Sequence, residues 1–213
     1  MLPSMRPTRA CLLLSLLSLW VGLVACGEVA SPLPELPRLL ETPDFALTNL
    51  DGRTVTRELL QGRVLVVNFI FTRCGGPCPL MTRQMRTLQQ ALIAEGMIEE
   101  EDSEVLLVSI TVDPEHDTPE VLAQYAQLWE ADTESWLFLT GPPDETLRIV
   151  REGFRVTAER EGSGMDHPDI LHSTSFLLVD RNGWVRRIVS LTEDQFVESL
   201  IHDMNRLLAE PDA

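Results

Sequence analysis

Two largely apolar runs, Val64 to Phe71 and Val105 to Val112, broken only by Asn68, Ser109 and Thr111, mark the centre of the chain. Runs of that length without polar alternation belong to strands buried on both faces. Between them Met81, Met85, Leu88 and Leu92 recur at helical spacing. After the second run, Thr118-Pro119-Glu120 supplies an N-cap, a proline for the first helical position and an acid for the first turn. Val121, Leu122, Tyr125, Leu128 and Trp129 form the apolar face of the helix that follows. Upstream, Phe45 to Val55 reads as a small hairpin turning at Asp51-Gly52. Downstream, Trp136 to Leu139 reads as a short strand and Glu145 to Glu152 as a short helix. Phe176 to Val179 and Trp184 to Val189 flank Asn182-Gly183, a strong hairpin signal, and Glu193 to Leu208 closes the chain as an amphipathic helix. Strands alternating with helices, then a hairpin and a last helix, predict an α/β domain: a central mixed sheet with helices on both faces.

Outside this domain the pattern changes. Arg6 and Arg9 precede an uncharged apolar stretch, Cys11 to Ala25, and Leu23-Val24-Ala25-Cys26 follows with small residues before a cysteine. The arrangement reads as a secretion signal covering residues 1–25. It resembles a bacterial lipoprotein signal, which implies cleavage before Cys26 and lipid on that cysteine. The apolar stretch is shorter than the ~20 residues of a membrane span, which favours cleavage over a retained anchor. Residues 26–43 carry Pro32, Pro34, Pro37 and Pro43 without periodicity and are expected to form a tether. The folded part is then residues 44–213.

Charge narrows the range of partners. The net charge is −16, all cationic side chains are arginine, and removal of the signal would take the charge to −18. Such a surface argues against nucleic acid and against a basic-patch attachment to anionic lipid.

With Cys11 in the signal and Cys26 given to lipid, Cys74 and Cys78 are left as a pair in Phe71-Thr72-Arg73-Cys74-Gly75-Gly76-Pro77-Cys78-Pro79. The pair sits where the first buried strand turns into a helix, a place that favours thiolate. Arg73 adds a positive charge, so both sulfurs are expected to titrate below the free-cysteine value of about 8.5. A disulfide this close in sequence closes too short a loop to be a useful staple. Two uses remain: thiol–disulfide exchange, or ligation of a soft metal. Both need the same two sulfurs, so they exclude each other.

A metal would need a third ligand. Of the four histidines, His202 reads as a surface residue of the last helix, and His116 as an exposed turn residue in Asp113-Pro114-Glu115-His116-Asp117. Asp117 reads as a helix-start residue, with the alternative that it and Asp113 shape the site from behind its ligands. His172 stands just before the strand at Phe176. The element order with a dithiol after the first core strand resembles the thioredoxin fold. In that fold the segment entering this later strand lies against the dithiol. The chain has no proline there, where the oxidoreductases of the fold usually carry one, and reads Leu171-His172-Ser173-Thr174-Ser175-Phe176.

Three segments carry a closer resemblance. Phe71-Thr72-Arg73-Cys74-x-x-x-Cys78-Pro79, then Thr111-Val112-Asp113-Pro114-Glu115-His116-Asp117-Thr118-Pro119-Glu120, then His172-Ser173-Thr174 ahead of Phe176-Leu177-Leu178-Val179-Asp180, together resemble the Sco/SenC family. The resemblance implies a thioredoxin-like, membrane-tethered copper protein on the periplasmic side of the cell envelope. It implies copper ligands Cys74, Cys78 and His172. The implied role is delivery to the binuclear copper centre of cytochrome c oxidase, with its copper-bearing subunit and other copper carriers as partners. Two thiolates favour Cu(I), an imidazole also accepts Cu(II), and zinc would accept the same set plus water. The alternative is a thiol–disulfide oxidoreductase acting on a copper-receiving protein, with Cys74 attacking and Cys78 resolving. Two departures from the family pattern stand out. Leu171 replaces the usual acidic residue before the histidine, with Asp166 or Asp169 as substitutes. Gly75-Gly76-Pro77 occupies positions where many members carry bulkier or acidic residues.

Overall fold

The structure is a computed structural model and describes residues 34–98, 103–155, 159–161, 169–171 and 174–211, with backbone alone at 159–161 and 169–171. The signal, Cys26, Asp166, His167 and His172 lie outside the described residues, as does the side chain of Asp169. No helix among the described residues is long and apolar enough to cross a membrane.

In chain order the strands are β1 (Leu40–Glu41), β2 (Ala46–Thr48), β3 (Thr54–Thr56), β4 (Val64–Ile70), β5 (Val105–Thr111), β6 (Trp136–Leu139), β7 (Glu159–Glu161), β8 (Asp169–Leu171), β9 (Ser175–Val179) and β10 (Trp184–Ser190). The helices are α1 (Arg57–Leu60), α2 (Cys78–Ala94), α3 (Pro119–Leu128), α4 (Pro143–Arg148) and α5 (Phe196–Ala209); a π-helical turn, Ile149–Gly153, continues α4. Six strands form one mixed sheet in the order β1-β10-β9-β4-β5-β6.

The two apolar runs become its centre. Every residue of β4 and of β5 is buried, and the two pair in parallel from Val64↔Val105 to Ile70↔Thr111. Asn68, Ser109 and Thr111 are the polar exceptions. Ser109 Oγ donates to Asn68 Oδ1 at 2.6 Å and accepts from Trp136 Nε1 at 2.9 Å, which satisfies the hydroxyl inside the core. That face meets α2 and α3, through Gln89 Nε2 on Ser135 Oγ (2.9 Å) and Tyr125 against Phe138, ring centroids 6.4 Å apart. The opposite face, carrying Leu65, Val67, Val108 and Ile110, is covered by Phe45, Leu60 of α1 and Phe154. Helical elements therefore cover both faces, as expected.

β4 also pairs with β9, antiparallel, at Leu65↔Val179, Val66↔Leu178 and Val67↔Leu177. The entrance to β9 thus lies at the sheet end where β4 finishes. The hairpin signal at Asn182-Gly183 is realised, with Gly183 at φ +82. A side chain there would meet Thr42 Oγ1 at 3.0 Å as well as the backbone strain.

Two features differ from the sequence-based expectation. The β7–β8 ribbon was not foreseen, because Glu-Arg-Glu and Asp-Ile-Leu carry no two-residue apolar alternation; Gly162-Ser163-Gly164 was its one signal in the sequence. The stretch expected to end the tether is instead built into the domain, and the compact unit runs from Leu36 to Ala213. Leu40 and Glu41 pair with Val185 and Trp184. Thr42 Oγ1 donates to the Gly183 carbonyl at 2.9 Å. A Cβ on Gly153 would fall 2.3 Å from Pro43 Cγ. A two-residue strand has no periodicity to read; tertiary hydrogen bonds decide it.

Arg186 fastens this segment. Its side chain is 3% exposed; it bonds Asp180 Oδ2 at 2.9 Å and Glu210 Oε2 at 2.7 Å, and its Nε donates to the Leu36 carbonyl at 2.9 Å. Removing one partner of a buried pair strands the other charge, at a cost of roughly 3–5 kcal/mol. Arg186→Met is therefore expected to lower the unfolding free energy by about 3 kcal/mol. Urea denaturation checks this, and an unchanged midpoint would show that the clamp contributes nothing.

Candidate functional site

The end of β4 leads directly into the dithiol. Ile70 still belongs to the sheet, its carbonyl accepting from Val112 N–H at 2.8 Å, and Phe71 is buried. The chain then turns, with Cys74 N–H donating to the Phe71 carbonyl at 3.2 Å. Pro77 caps α2 and Cys78 opens it, with Leu80 N–H and Met81 N–H both donating to the Pro77 carbonyl at 3.0 Å. Pro77 has no N–H to leave unsatisfied, which suits it to a helix start.

Both cysteines are thiols, Cys74 half-buried and Cys78 fully buried. Gly75 and Gly76 are exposed and neither has positive φ. A Cβ at Gly75 would meet nothing within 4 Å, and one at Gly76 only Cys74 Sγ at 3.9 Å. Gly75 and Gly76 therefore add no side chain against the Cys74 sulfur.

The thiol of Cys78 is pushed well above its ordinary range. The hydrogen bond with Cys74 is the largest cause, followed by burial; the charges of Cys74 and Asp117 add to it, and only the backbone hydrogen bond of Phe71 opposes. This corrects the expectation that both sulfurs titrate low. Arg73 does not supply the expected field, because its Nη2 is bound to Asp113 Oδ2 at 2.5 Å.

Asp117 stands at the helix start, directly before the α3 cap Thr118, but is fully buried, which favours the site-shaping alternative over a plain helix-start role. Its Oδ1 accepts from Thr72 Oγ1 (2.6 Å) and faces His116 Nδ1 (2.9 Å); its Oδ2 accepts from Thr72 N–H (3.1 Å) and Thr111 Oγ1 (2.6 Å). His116 is accordingly half-exposed and tied in, rather than a bare turn residue; His202 is exposed as expected. Asp113, His116 and Asp117 place three ligand-type atoms within 4.8 Å of one another, but Arg73 and the Thr72 and Thr111 donors occupy these carboxylates.

Tyr125 is a third residue whose place was not foreseen, since the sequence assigned it only to an apolar helix face. Its hydroxyl lies 2.6 Å from Thr82 Oγ1, which donates to the Cys78 carbonyl at 2.9 Å. Burial pushes its phenol up, and the Cys78 and Cys74 charges add to that. Met81 and Met85 are fully buried core residues.

Of the expected ligand set, the structure brings Cys74 and Cys78 together. His172 lies outside the described residues. Thr174, two positions on, has its carbonyl bonded by Leu191 N–H at 2.9 Å, at the β9 entrance and thus at the dithiol end of the sheet.

A mixed sheet whose central strand delivers a dithiol to a helix start is a thioredoxin-like arrangement. The SCO1/SenC family model matches residues 35–209, and the chain belongs to that family. It is 32% identical over 189 residues to the SCO1 protein homolog of Bacillus subtilis, covering 87% of this chain and 91% of that one. A SCO1/SenC family lipoprotein from Bacillus anthracis superposes with a TM-score of 0.70 at 32% identity, over 79% of this chain and 95% of its own. BsSco, described as a member of the Sco family of cytochrome c oxidase assembly proteins with a disulfide switch, superposes with a TM-score of 0.68 at 31% identity, over 81% and 96%.

The exposure difference has a direct chemical consequence. The thiolate is the nucleophile, and Cys78 is both inaccessible and held as a thiol. Iodoacetamide at neutral pH is expected to label Cys74 at least about tenfold faster than Cys78. Peptide mass spectrometry over time reads the order, and equal rates would contradict the asymmetry.

Proposed function

We propose that the chain is a copper carrier that holds the ion through Cys74, Cys78 and His172 and supplies it to the binuclear copper centre of cytochrome c oxidase. The observation that carries this is the pair of free thiols just past the end of β4, Cys74 half-buried and Cys78 buried, at the sheet end where β9 begins. The donor chemistry fits: two sulfurs suit Cu(I), and an added imidazole lets the site hold Cu(II) as well. Three ligands leave a side for exchange. The role in oxidase assembly draws on BsSco, which is described as belonging to a family of such assembly proteins. The partners in this reading are the copper-bearing subunit of the oxidase and other copper carriers.

The same reading places the domain on the periplasmic side of the cell envelope, anchored through lipid on Cys26. It is supported by the Leu23-Val24-Ala25-Cys26 sequence and by the Bacillus anthracis relative, which is described as a lipoprotein.

His172 tests the ligand set. The reduced protein is expected to bind one copper per chain, and His172→Ala to weaken binding at least about tenfold, equivalent to ~1.4 kcal/mol. Competition with a chromogenic chelator measures it. Undiminished affinity and stoichiometry would remove His172 from the site. Thiol exchange that survives His172→Ala and disappears in either cysteine variant would favour the oxidoreductase alternative.

The state of Cys78 sets the pH dependence. Metal binds the thiolate, so copper must displace the Cys78 proton, and loading is accompanied by proton release rather than by little or none. Below the thiol's raised pKa, apparent affinity rises with pH by about tenfold per unit for each proton displaced. Affinity measured from pH 6 to 8 in chelator-buffered copper is expected to climb with at least that slope; a flat profile would show Cys78 already ionised or not ligating.

A further inference from the structure

We propose that Asp117 is the positioning residue of the dithiol, fixing through Thr72 where Cys74 can meet Cys78; this rests on the dithiol being the working site of the chain.

Asp117 ties its own turn to two other pieces of the fold. Thr72 belongs to the loop leaving β4, two residues before Cys74; Thr111 ends β5; His116 precedes Asp117 in the turn into α3. Both the N–H and the hydroxyl of Thr72 are held, so neither the backbone nor the side chain of that residue can turn without breaking a bond to a buried carboxylate. Asp117 is itself anchored by its N–H on the Asp113 carbonyl at 2.9 Å. The loop therefore leaves the sheet in a set direction. From there one turn, Cys74 N–H on the Phe71 carbonyl, brings Cys74 back over the start of α2.

Placement, rather than charge, is what Asp117 contributes. A negative charge beside Cys78 opposes formation of its thiolate, so the charge works against the sulfur chemistry. The four contacts of the carboxylate also survive loss of the charge. In Asp117→Asn the carbonyl oxygen can keep Thr72 N–H and Thr111 Oγ1, while the amide nitrogen donates to a turned Thr72 hydroxyl and to the other tautomer of His116. Asp117→Ala removes all four.

The test is the midpoint potential of the Cys74–Cys78 couple in the metal-free full chain, equilibrated against dithiothreitol redox buffers, with circular dichroism confirming the fold. A loosened loop lowers the effective concentration of one thiol at the other, so the disulfide weakens and the potential rises. Asp117→Ala is expected to weaken the disulfide about tenfold, roughly 30 mV upward, and Asp117→Asn to stay within about threefold of the parent. If Asp117→Ala does not fold, Thr72→Val removes one contact at nearly constant volume and is expected to shift the potential in the same direction by about threefold. A parental potential in Asp117→Ala, or in Thr72→Val, overturns the proposal. So does an Asn variant displaced as far as the Ala variant, since charge would then be the cause. Because the readout is metal-free, a parent chain that takes up no copper but shows these shifts would sink the copper reading and leave this one standing.

Discussion

The strand Val64–Ile70 is buried on both faces and paired along both edges, so the chain can leave it only at the end of the sheet. Everything at the site follows from how that exit is managed. Backbone groups just past a buried strand still need partners. Val112 N–H takes the last carbonyl of the strand, and Asp117 takes the N–H of Thr72. A buried carboxylate left alone costs several kcal/mol. Four hydrogen bonds to it, each worth about 1.5–3 kcal/mol, offset that cost. The same bonds that satisfy Asp117 deliver Cys74 to the start of α2, so satisfying buried polar groups and building the site are one event.

Two effects compete at Cys78. Its position at the first residue of α2 favours the thiolate, an effect worth typically 0.3–1 kcal/mol and at most about 2. Full burial, the hydrogen bond with Cys74 and the nearby Asp117 charge favour the thiol. Desolvation of a charge in a protein interior costs several kcal/mol, so burial wins. Arg73 could have shifted the balance, but Asp113 holds it. The dithiol is thus asymmetric by construction: an accessible sulfur ahead of the helix and a protonated one inside it.

The sequence shows elements whose signals are local. The runs that became β4 and β5, the Met81–Leu92 spacing of α2, the Thr118-Pro119 start of α3 and the Asn182-Gly183 hairpin all lie within a few residues of their expected bounds. The dithiol was equally readable, because two cysteines four positions apart after a buried strand leave few other uses. What escaped depends on distant partners. Asp117 reads as an ordinary helix-start acid until Thr72, 45 residues earlier, is folded against it. Leu40–Glu41 joins the sheet only because Val185 and Trp184 present an edge. The low thiol titration expected of Arg73 failed for the same reason, since an ion pair 40 residues apart cannot be read from local charge.

The least constrained residues of the site lie between its cysteines. Gly75 and Gly76 take ordinary φ, and a side chain at Gly75 would enter empty space. Nothing in the fold therefore demands glycine there. Their smallness means that they set no side chain of their own against the Cys74 sulfur. Cys78, the first residue of α2, is fully buried. A reagent that attacks a thiolate therefore reaches Cys74 before Cys78.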